Sequence, residues 1–324
     1  MGGPAPVAGT RFPRYAPAMK PSPVGMLLAA LLAACTGAHP AGPPAPQAGT
    51  LVPGRLPASW YAGGPVCSGT PSLSVHAYSG DFYILRQPAC TNYEKPFLYL
   101  LLGRTRALLL DTGAGGLNVA GTVDSLLEVW RARQGGDRVR LIVAHSHSHG
   151  DHVAGDSQFV GRAGVSVVGL DTTSVRAFFG IQQWPEEMVS FDLGGRVLDV
   201  LPIPGHQAAS LAFYDRRTGV LLSGDTFYPG RLYVRDSAAY VRSIARLARF
   251  AETHPIIHIL GTHIENSSRP GQDYPVGTVD QPDEHVLQLT REDLLTLDSA
   301  LAGMRGRLVR TVLPHFTIWP LPPR

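Results

Sequence analysis

What this chain has little of narrows it first. Charged residues are only 16% of the 324, and 28 basic against 25 acidic side chains leave a formal charge of +3. The basic residues are scattered, with no run of the kind that tracks a phosphate backbone, which argues against a nucleic-acid partner. A long charged helix is excluded by the same scarcity. No stretch reaches the roughly 20 apolar residues that span a bilayer as a helix, and the cysteines are only three, Cys35, Cys67 and Cys90. What is present is a 44% hydrophobic chain with 36 Gly and 28 Pro, which reads as globular and loop-rich, with length for one large domain or two small ones.

The one notable apolar segment is informative. Arg11, Arg14 and Lys20 precede a run from Val24 to Ala34 that stops at Cys35, the layout of an export signal with a basic region, a short apolar region and small residues at the cleavage site. Leu32-Ala33-Ala34-Cys35 resembles the lipobox of bacterial lipoproteins. That resemblance implies cleavage before Cys35 and a lipid anchor on it, with the chain exported to the periplasm or cell envelope and touching the membrane only through that anchor. Met1 and Met19 both remain open as the start. Residues 1–35 are therefore read as signal, residues 36–70 as a Pro/Gly-rich linker, and residues 71–324 as a single domain with a short extension after 264. In an oxidising compartment Cys67 and Cys90 form an even pair, and a disulfide between them is expected.

Closely spaced apolar runs at Leu73 to Tyr78, Phe82 to Leu85, Phe97 to Leu102 and Ala107 to Leu110 predict strands joined as hairpins. Val123, Leu126, Leu127 and Trp130 have helical spacing, and Val139 to Ala144 reads as a buried strand. Further strands are predicted at Val165 to Leu170, Val197 to Ile203, Ser210 to Tyr214, Val220 to Leu222 and Ile256 to Leu260. A helix is predicted from Ser237 to Thr253, and Thr290 with Asp293 looks like the N-cap of another.

The dense point of the sequence is His145-Ser146-His147-Ser148-His149-Gly150-Asp151-His152, directly after an apolar strand. Imidazoles and a carboxylate are a ligand set for zinc, iron or manganese, and a loop leaving a strand end can turn several toward one point. The spacing His147-x-His149-x-Asp151-His152 resembles the signature of the metallo-β-lactamase superfamily. Four more of its elements follow the family's order: Leu109-Leu110-Asp111-Thr112-Gly113 before it, then Pro204-Gly205-His206, Ser223-Gly224-Asp225-Thr226 and Gly261-Thr262-His263 after it.

The resemblance implies an α/β fold, the four-layer αββα sandwich. It also implies two divalent metal ions, zinc first with iron or manganese as alternatives. His147, His149 and His206 would hold the first, Asp151, His152 and His263 the second, and Asp225 would bridge them. Asp111 would support a ligand rather than bind metal. His145 is left between a supporting role and substrate contact. The implied activity is hydrolysis by a metal-bound hydroxide, with Asp151 also helping to orient it, on a small-molecule substrate.

Departures from the family's branches bear on that substrate. Asp225 stands where the superfamily's β-lactamases usually carry Cys or Ser. The residues after His263 look too few for the helical domain of glutathione thioester hydrolases, and no inserted nucleic-acid-processing domain is visible. A small ester, lactone or thioester is the expectation, with a β-lactam, or iron-dependent persulfide oxidation, as alternatives. The segment from Ile264 to Gln288 is expected to line the site mouth, with Trp184, Phe227, Tyr228 and Tyr233 as candidate walls. Oligomeric state is not legible.

Overall fold

A period of two in the strands sets the architecture. In β3 (Phe97–Leu102), Phe97, Tyr99 and Leu101 pack into one apolar cluster while Leu98, Leu100 and Leu102 pack into another on the opposite face. Alternate residues of a strand point to opposite faces, so a strand apolar throughout must be covered on both. The structure, a computed structural model, describes residue 2, residues 50–136 and residues 138–322. The expected signal and Cys35, the residue expected to carry lipid, lie outside the described residues. Among the described residues no helix is long and apolar enough to cross a membrane.

The first sheet runs in spatial order β1 (Ser74–Ser79), β2 (Phe82–Arg86), β3, β4 (Arg106–Leu110), β5 (Arg140–Ala144) and β6 (Val165–Val167). Its first four strands are antiparallel neighbours, and β4, β5 and β6 are parallel. The second contains β7 (Val189–Asp192), β8 (Val197–Pro202), β9 (Leu211–Asp215), β10 (Val220–Gly224), β12 (His258–Gly261) and β13 (Gln288–Leu289). A small third sheet holds β11 (Arg231–Val234), β14 (Thr311–Val312) and β15 (Thr317–Pro320).

Three apolar clusters make this a four-layer αββα sandwich. Ile84, Phe97, Tyr99, Val200, Phe213 and Leu222 fill the space between the two large sheets. Helix α1 (Val119–Arg133) covers the outer face of the first sheet with Val119, Val123 and Leu127. Helices α4 (Ser237–Thr253) and α5 (Arg291–Gly303) cover the second with Ile244, Leu247, Leu294, Leu297 and Leu301. The capping box expected at Thr290 is present: its hydroxyl accepts from Asp293 N at 3.1 Å while Asp293 Oδ2 accepts from Thr290 N at 2.9 Å. The short α2 (Gly150–Val153) and α3 (Thr172–Phe179) complete the set.

Residues 50–70, read above as linker, contain no strand or helix, yet several pack on the body. Val52 N donates to Arg217 O at 2.8 Å, Arg55 N to Tyr78 O at 3.0 Å, and Trp60 is buried against Phe97. Cys67 and Cys90 form the expected disulfide, with their Cα atoms 5.4 Å apart.

Candidate metal centre

The parallel strands deliver the site at their C-terminal ends, where ligands of open α/β sheets bind. Asp111 follows β4, His145 to His149 follow β5, Asp225 follows β10 and His263 follows β12. His152 comes from α2, and His206 from the turn between β8 and β9. Gly205 sits at φ +144° with its α-carbon against the Tyr240 backbone, where a Cβ would lie 2.4 Å from Tyr240 Cα. Glycine there lets α4 approach the turn that carries His206.

All seven side chains singled out in the sequence come together, as two sets that share Asp225: His147, His149, His206 and Asp225, and Asp151, His152, Asp225 and His263. In the first, His147 Nε2 is 2.9 Å from His149 Nδ1, and His206 Nε2 is 3.2 and 3.1 Å from them. In the second, Asp151 Oδ2 is 3.0 Å from His152 Nε2 and 3.2 Å from His263 Nε2. Asp225 spans both. Its Oδ2 lies 3.7 Å from both His147 Nε2 and His206 Nε2, and its Oδ1 lies 3.5 Å from His152 Nε2 and 3.3 Å from His263 Nε2.

The other ring nitrogens explain why these atoms converge. His206 Nδ1 is 2.8 Å from Tyr233 O and His263 Nδ1 is 3.0 Å from Glu94 O. A carbonyl only accepts, so each Nδ1 carries a proton and each Nε2 is the nitrogen turned inward. His152 Nδ1 is 3.0 Å from Asp111 Oδ2, and Asp111 in turn accepts from Ser146 N at 2.7 Å and Ser146 Oγ at 2.8 Å. His147 Nδ1 faces Ser146 Oγ at 3.1 Å. Asp111 is held at φ +67°, and Thr262 Oγ1 donates to Asp225 Oδ1.

Such a donor set fits a pair of cations. Tetrahedral ligands about 2.0–2.1 Å from zinc stand about 3.3 Å apart, close to the spacings in both sets. Burial holds the His147, His149 and His206 imidazoles below their ordinary range, so they are neutral with lone pairs available. The second set is carboxylate-rich. Burial alone would lower His263, but Asp225 and Asp151 push it up to about 10. His152 is likewise raised, against its burial, by Asp225 and Asp111. Burial would raise Asp225, yet the imidazoles of His263, His152 and His147 hold it well below the usual carboxylate range. Negative charge concentrated on three carboxylates around two imidazoles is what a divalent ion offsets.

His145 is not among the converging side chains. It is buried, and its Nε2 lies 2.9 Å from Asp156 Oδ1, which also accepts from Thr112 Oγ1 at 2.8 Å. The wall candidates divide. Phe227 and Tyr228 are buried in the core, and Trp184 packs against the cluster between the sheets. Tyr233 is half-buried, contributes its carbonyl to His206 and accepts from Arg231 Nε at 2.9 Å through its hydroxyl. The acidic residues of the 264–288 loop are also largely spoken for: Glu265 and Asp273 bind Arg231 at 2.8 and 2.7 Å, and Glu284 binds Arg86 and Lys95 at 2.6 and 3.1 Å. Ser146, Thr262, Glu94 and Tyr233 were missed as supports. The first two flank the motifs, and the other two act through backbone carbonyls that no side-chain pattern reports.

Parts of the chain are similar to known proteins. The hydroxyacylglutathione hydrolase of Methylococcus capsulatus is 32% identical over 108 residues, covering 32% of this chain and 42% of that protein. That of Chromohalobacter salexigens is 32% identical over 120 residues, covering 36% and 45%. The chain thus spans less than half the length of these curated relatives. Among solved structures, a metallo-beta-lactamase from Pontibacter korlensis aligns with a TM-score of 0.46 and 20% identity over 71% of this chain and 99% of that one. The family model of the metallo-beta-lactamase superfamily matches residues 96–299, nearly two thirds of the sequence and all seven converging side chains, and the chain belongs to that superfamily.

Proposed function

We propose that the protein is a metal-dependent hydrolase of small acyl compounds, a thioester, ester or lactone, and that its two donor sets hold two divalent ions, zinc by donor type. The observation that carries this reading is the placement of Asp225, one carboxylate oxygen toward each set. Bound ions supply Lewis acidity, which polarises a carbonyl and makes a water nucleophilic near neutral pH.

The chain's own residues do the positioning. Tyr233 O, Glu94 O and Asp111 fix the rings of His206, His263 and His152, so that the lone pairs are set in advance. Asp151, whose side chain is 22% exposed, is the most accessible member of the second set, and there it accepts a hydrogen bond from the attacking water and orients it. The hydrolase names of the curated relatives favour a thioester or a chemically similar acyl group as substrate.

The deciding experiment is elemental analysis of the purified protein combined with a panel of aryl esters, lactones, acyl thioesters and β-lactams. Two ions per chain with turnover of an acyl substrate support the reading. One ion or none, under zinc-replete conditions, overturns the dinuclear site, and a metal-replete protein inert to the whole panel overturns the hydrolase.

A further inference from the structure

Two of the strands that lead into the metal centre begin in arginines. Arg106 opens β4 and Arg140 opens β5, and the two are register partners at one end of the sheet, while Asp111 and His145 follow the other end. Arg216 and Arg217 occupy the turn before β10, the strand that ends at Asp225. Five residues at about 3.3 Å each separate the two poles by about 16 Å. Arg104 from the β3–β4 turn, Arg131 and Arg133 from the last turn of α1, and Arg138 just before β5 join the arginine pole. Residues scattered in sequence are thus gathered in space.

This pole is under-neutralised. Arg162, Arg216 and Arg217 pair with Asp124, Asp199 and Asp81. Arg104, Arg106, Arg131, Arg133, Arg138 and Arg140 make no ion pair among the described residues, and Glu128 is the one further acidic residue lining the adjoining groove. The surface is also grooved and partly apolar. Arg131, Arg138, Arg140 and Arg162 line a groove of about 590 Å³. Arg106 and Arg140 share the next, about 470 Å³, with Phe178 and Phe191, and the Phe178 side chain is 37% exposed. A third is lined by Arg133 and Arg217 together with Trp130 and Val52. Val52 is where the N-terminal segment joins the body, through its bond to Arg217 O.

We propose that this pole docks on an anionic phospholipid surface, leaving the metal centre facing away from it. Guanidinium groups bind phosphate in a bidentate manner, and a cluster of unpaired ones beside an exposed aromatic suits a headgroup layer. The entry of the chain at the same pole supplies the second argument. A lipid on Cys35, fifteen residues before Thr50, would tether the body from the side that carries the charge. Each arginine near such a surface contributes about fivefold in partitioning, and the attraction is screened by salt. The inference is independent of the substrate proposed above.

The test uses the full mature chain carrying Cys35→Ser, so that no acyl chain contributes, with vesicles of phosphatidylcholine alone or with about one quarter phosphatidylglycerol. Sedimentation with the anionic vesicles, at least about tenfold tighter than with the neutral ones and weakening as salt rises, is expected. The Arg104→Gln/Arg106→Gln/Arg138→Gln/Arg140→Gln variant should lose at least about twentyfold with an unchanged melting profile, and Arg138→Gln alone, at an exposed site, about fivefold. The control Arg242→Gln/Arg249→Gln, on α4, should bind as the parent does. Equal binding to both vesicle types, an unaffected quadruple variant, or a control pair that loses as much each overturns the proposal. Tighter binding to duplex DNA than to the anionic vesicles overturns the choice of a lipid surface.

Discussion

His263 Nδ1 lies 3.0 Å from the backbone oxygen of Glu94, so a member of the second donor set is aimed by a loop some 170 residues away in sequence. That loop joins β2 to β3 and is fastened from several sides. The Cys67–Cys90 disulfide closes on it, Gln87 Nε2 donates to Thr91 Oγ1 and Gly115 O at 3.0 and 2.9 Å, and Lys95 Nζ reaches Glu284 at 3.1 Å. Glu284 in turn takes both Nη atoms of Arg86, at 2.6 and 2.7 Å. Two cations and one carboxylate are therefore buried together beside the site.

Glu284→Gln should expose what that arrangement holds. The Arg86, Lys95 and Glu284 side chains are 1%, 2% and 3% exposed, and removing the single carboxylate strands two buried cations. Breaking a buried pair costs about 3–5 kcal/mol, which for a domain of this size is a drop of about 6 °C or more in melting temperature. A thermal melt within about 2 °C of the parent would mean that water already solvates the triad.

Asp111→Asn should act on metal retention rather than on the fold. Asp111 Oδ2 orients His152, and both its oxygens are engaged by Ser146. Loss of such an outer partner weakens metal affinity by about 10–100-fold. Chelator competition should show one ion released at lower chelator concentration than in the parent while the other is retained. Release of both together would place Asp111's influence on the pair as a whole.

Much of this was legible in the sequence, for identifiable reasons. Strand and helix ranges from β1 to β5 and in α4 follow from apolar periodicity, because those elements are covered on one or both faces by packed layers. The seven converging side chains were readable through the resemblance of five short motifs, the His-rich run after β5 and the segments around Asp111, His206, Asp225 and His263, to those of the superfamily. Helix α3 and strand β7 were not predicted: the first has only Val175 and Phe179 buried, and the second has no residue fully buried. The packed segment from Val52 to Cys67 read as linker because its Gly and Pro give no periodic signal, although Trp60 anchors it. The arginine pole was invisible because its members come from several strands, turns and a helix far apart in sequence.

Acid should loosen the contact between the 264–288 loop and the turn before β15. His285 Nε2 lies 2.8 Å from His315 Nδ1, and burial, then the neighbouring His315, hold His285 below the ordinary histidine range despite the Val286 carbonyl and Asp293. A histidine whose folded value is depressed contributes stability above its unfolded value near 6.5 and loses it as pH falls. Hydrogen exchange in residues 285–287 and 313–316 should therefore quicken between about pH 7 and pH 5, and His315→Gln should flatten that dependence. Exchange that is insensitive to pH in the parent would show that the two rings share a proton without strain.

Ligand deletions should separate the two donor sets. His263→Ala removes a member of the second set only, and His149→Ala a member of the first only. Elemental analysis after dialysis should give about one ion per chain in each, against two in the parent. Asp151→Ala should also lower turnover by about two orders of magnitude or more, since it weakens the second site and frees the attacking water's orientation together. Its melting temperature in the presence of metal should change far less than that of Glu284→Gln. Near-normal turnover in Asp151→Ala would remove it from the site's chemistry.

Substrate ranking follows from Asp225 and from the residues after His263. A carboxylate with one oxygen toward each set, 3.3 to 3.7 Å from four imidazole nitrogens, draws the two sites together, which differs from the Cys or Ser expected of the superfamily's β-lactamases. After His263 the described chain is spent on a loop pinned by Arg231, Arg86 and Lys95, on α5 as the outer layer over the second sheet, and on β14 and β15 of the small sheet. After His263 no separate helical unit stands among the described residues beyond α5. Simple aryl esters, lactones and short acyl thioesters should be turned over faster than either a glutathione thioester or a cephalosporin, with kcat/KM for the best of them in the enzymatic range of about 10⁴ M⁻¹s⁻¹ or more. A cephalosporin hydrolysed fastest would show that a bridging aspartate is compatible with β-lactam chemistry. A glutathione thioester hydrolysed fastest would show that the pinned loop supplies a binding surface for the peptide.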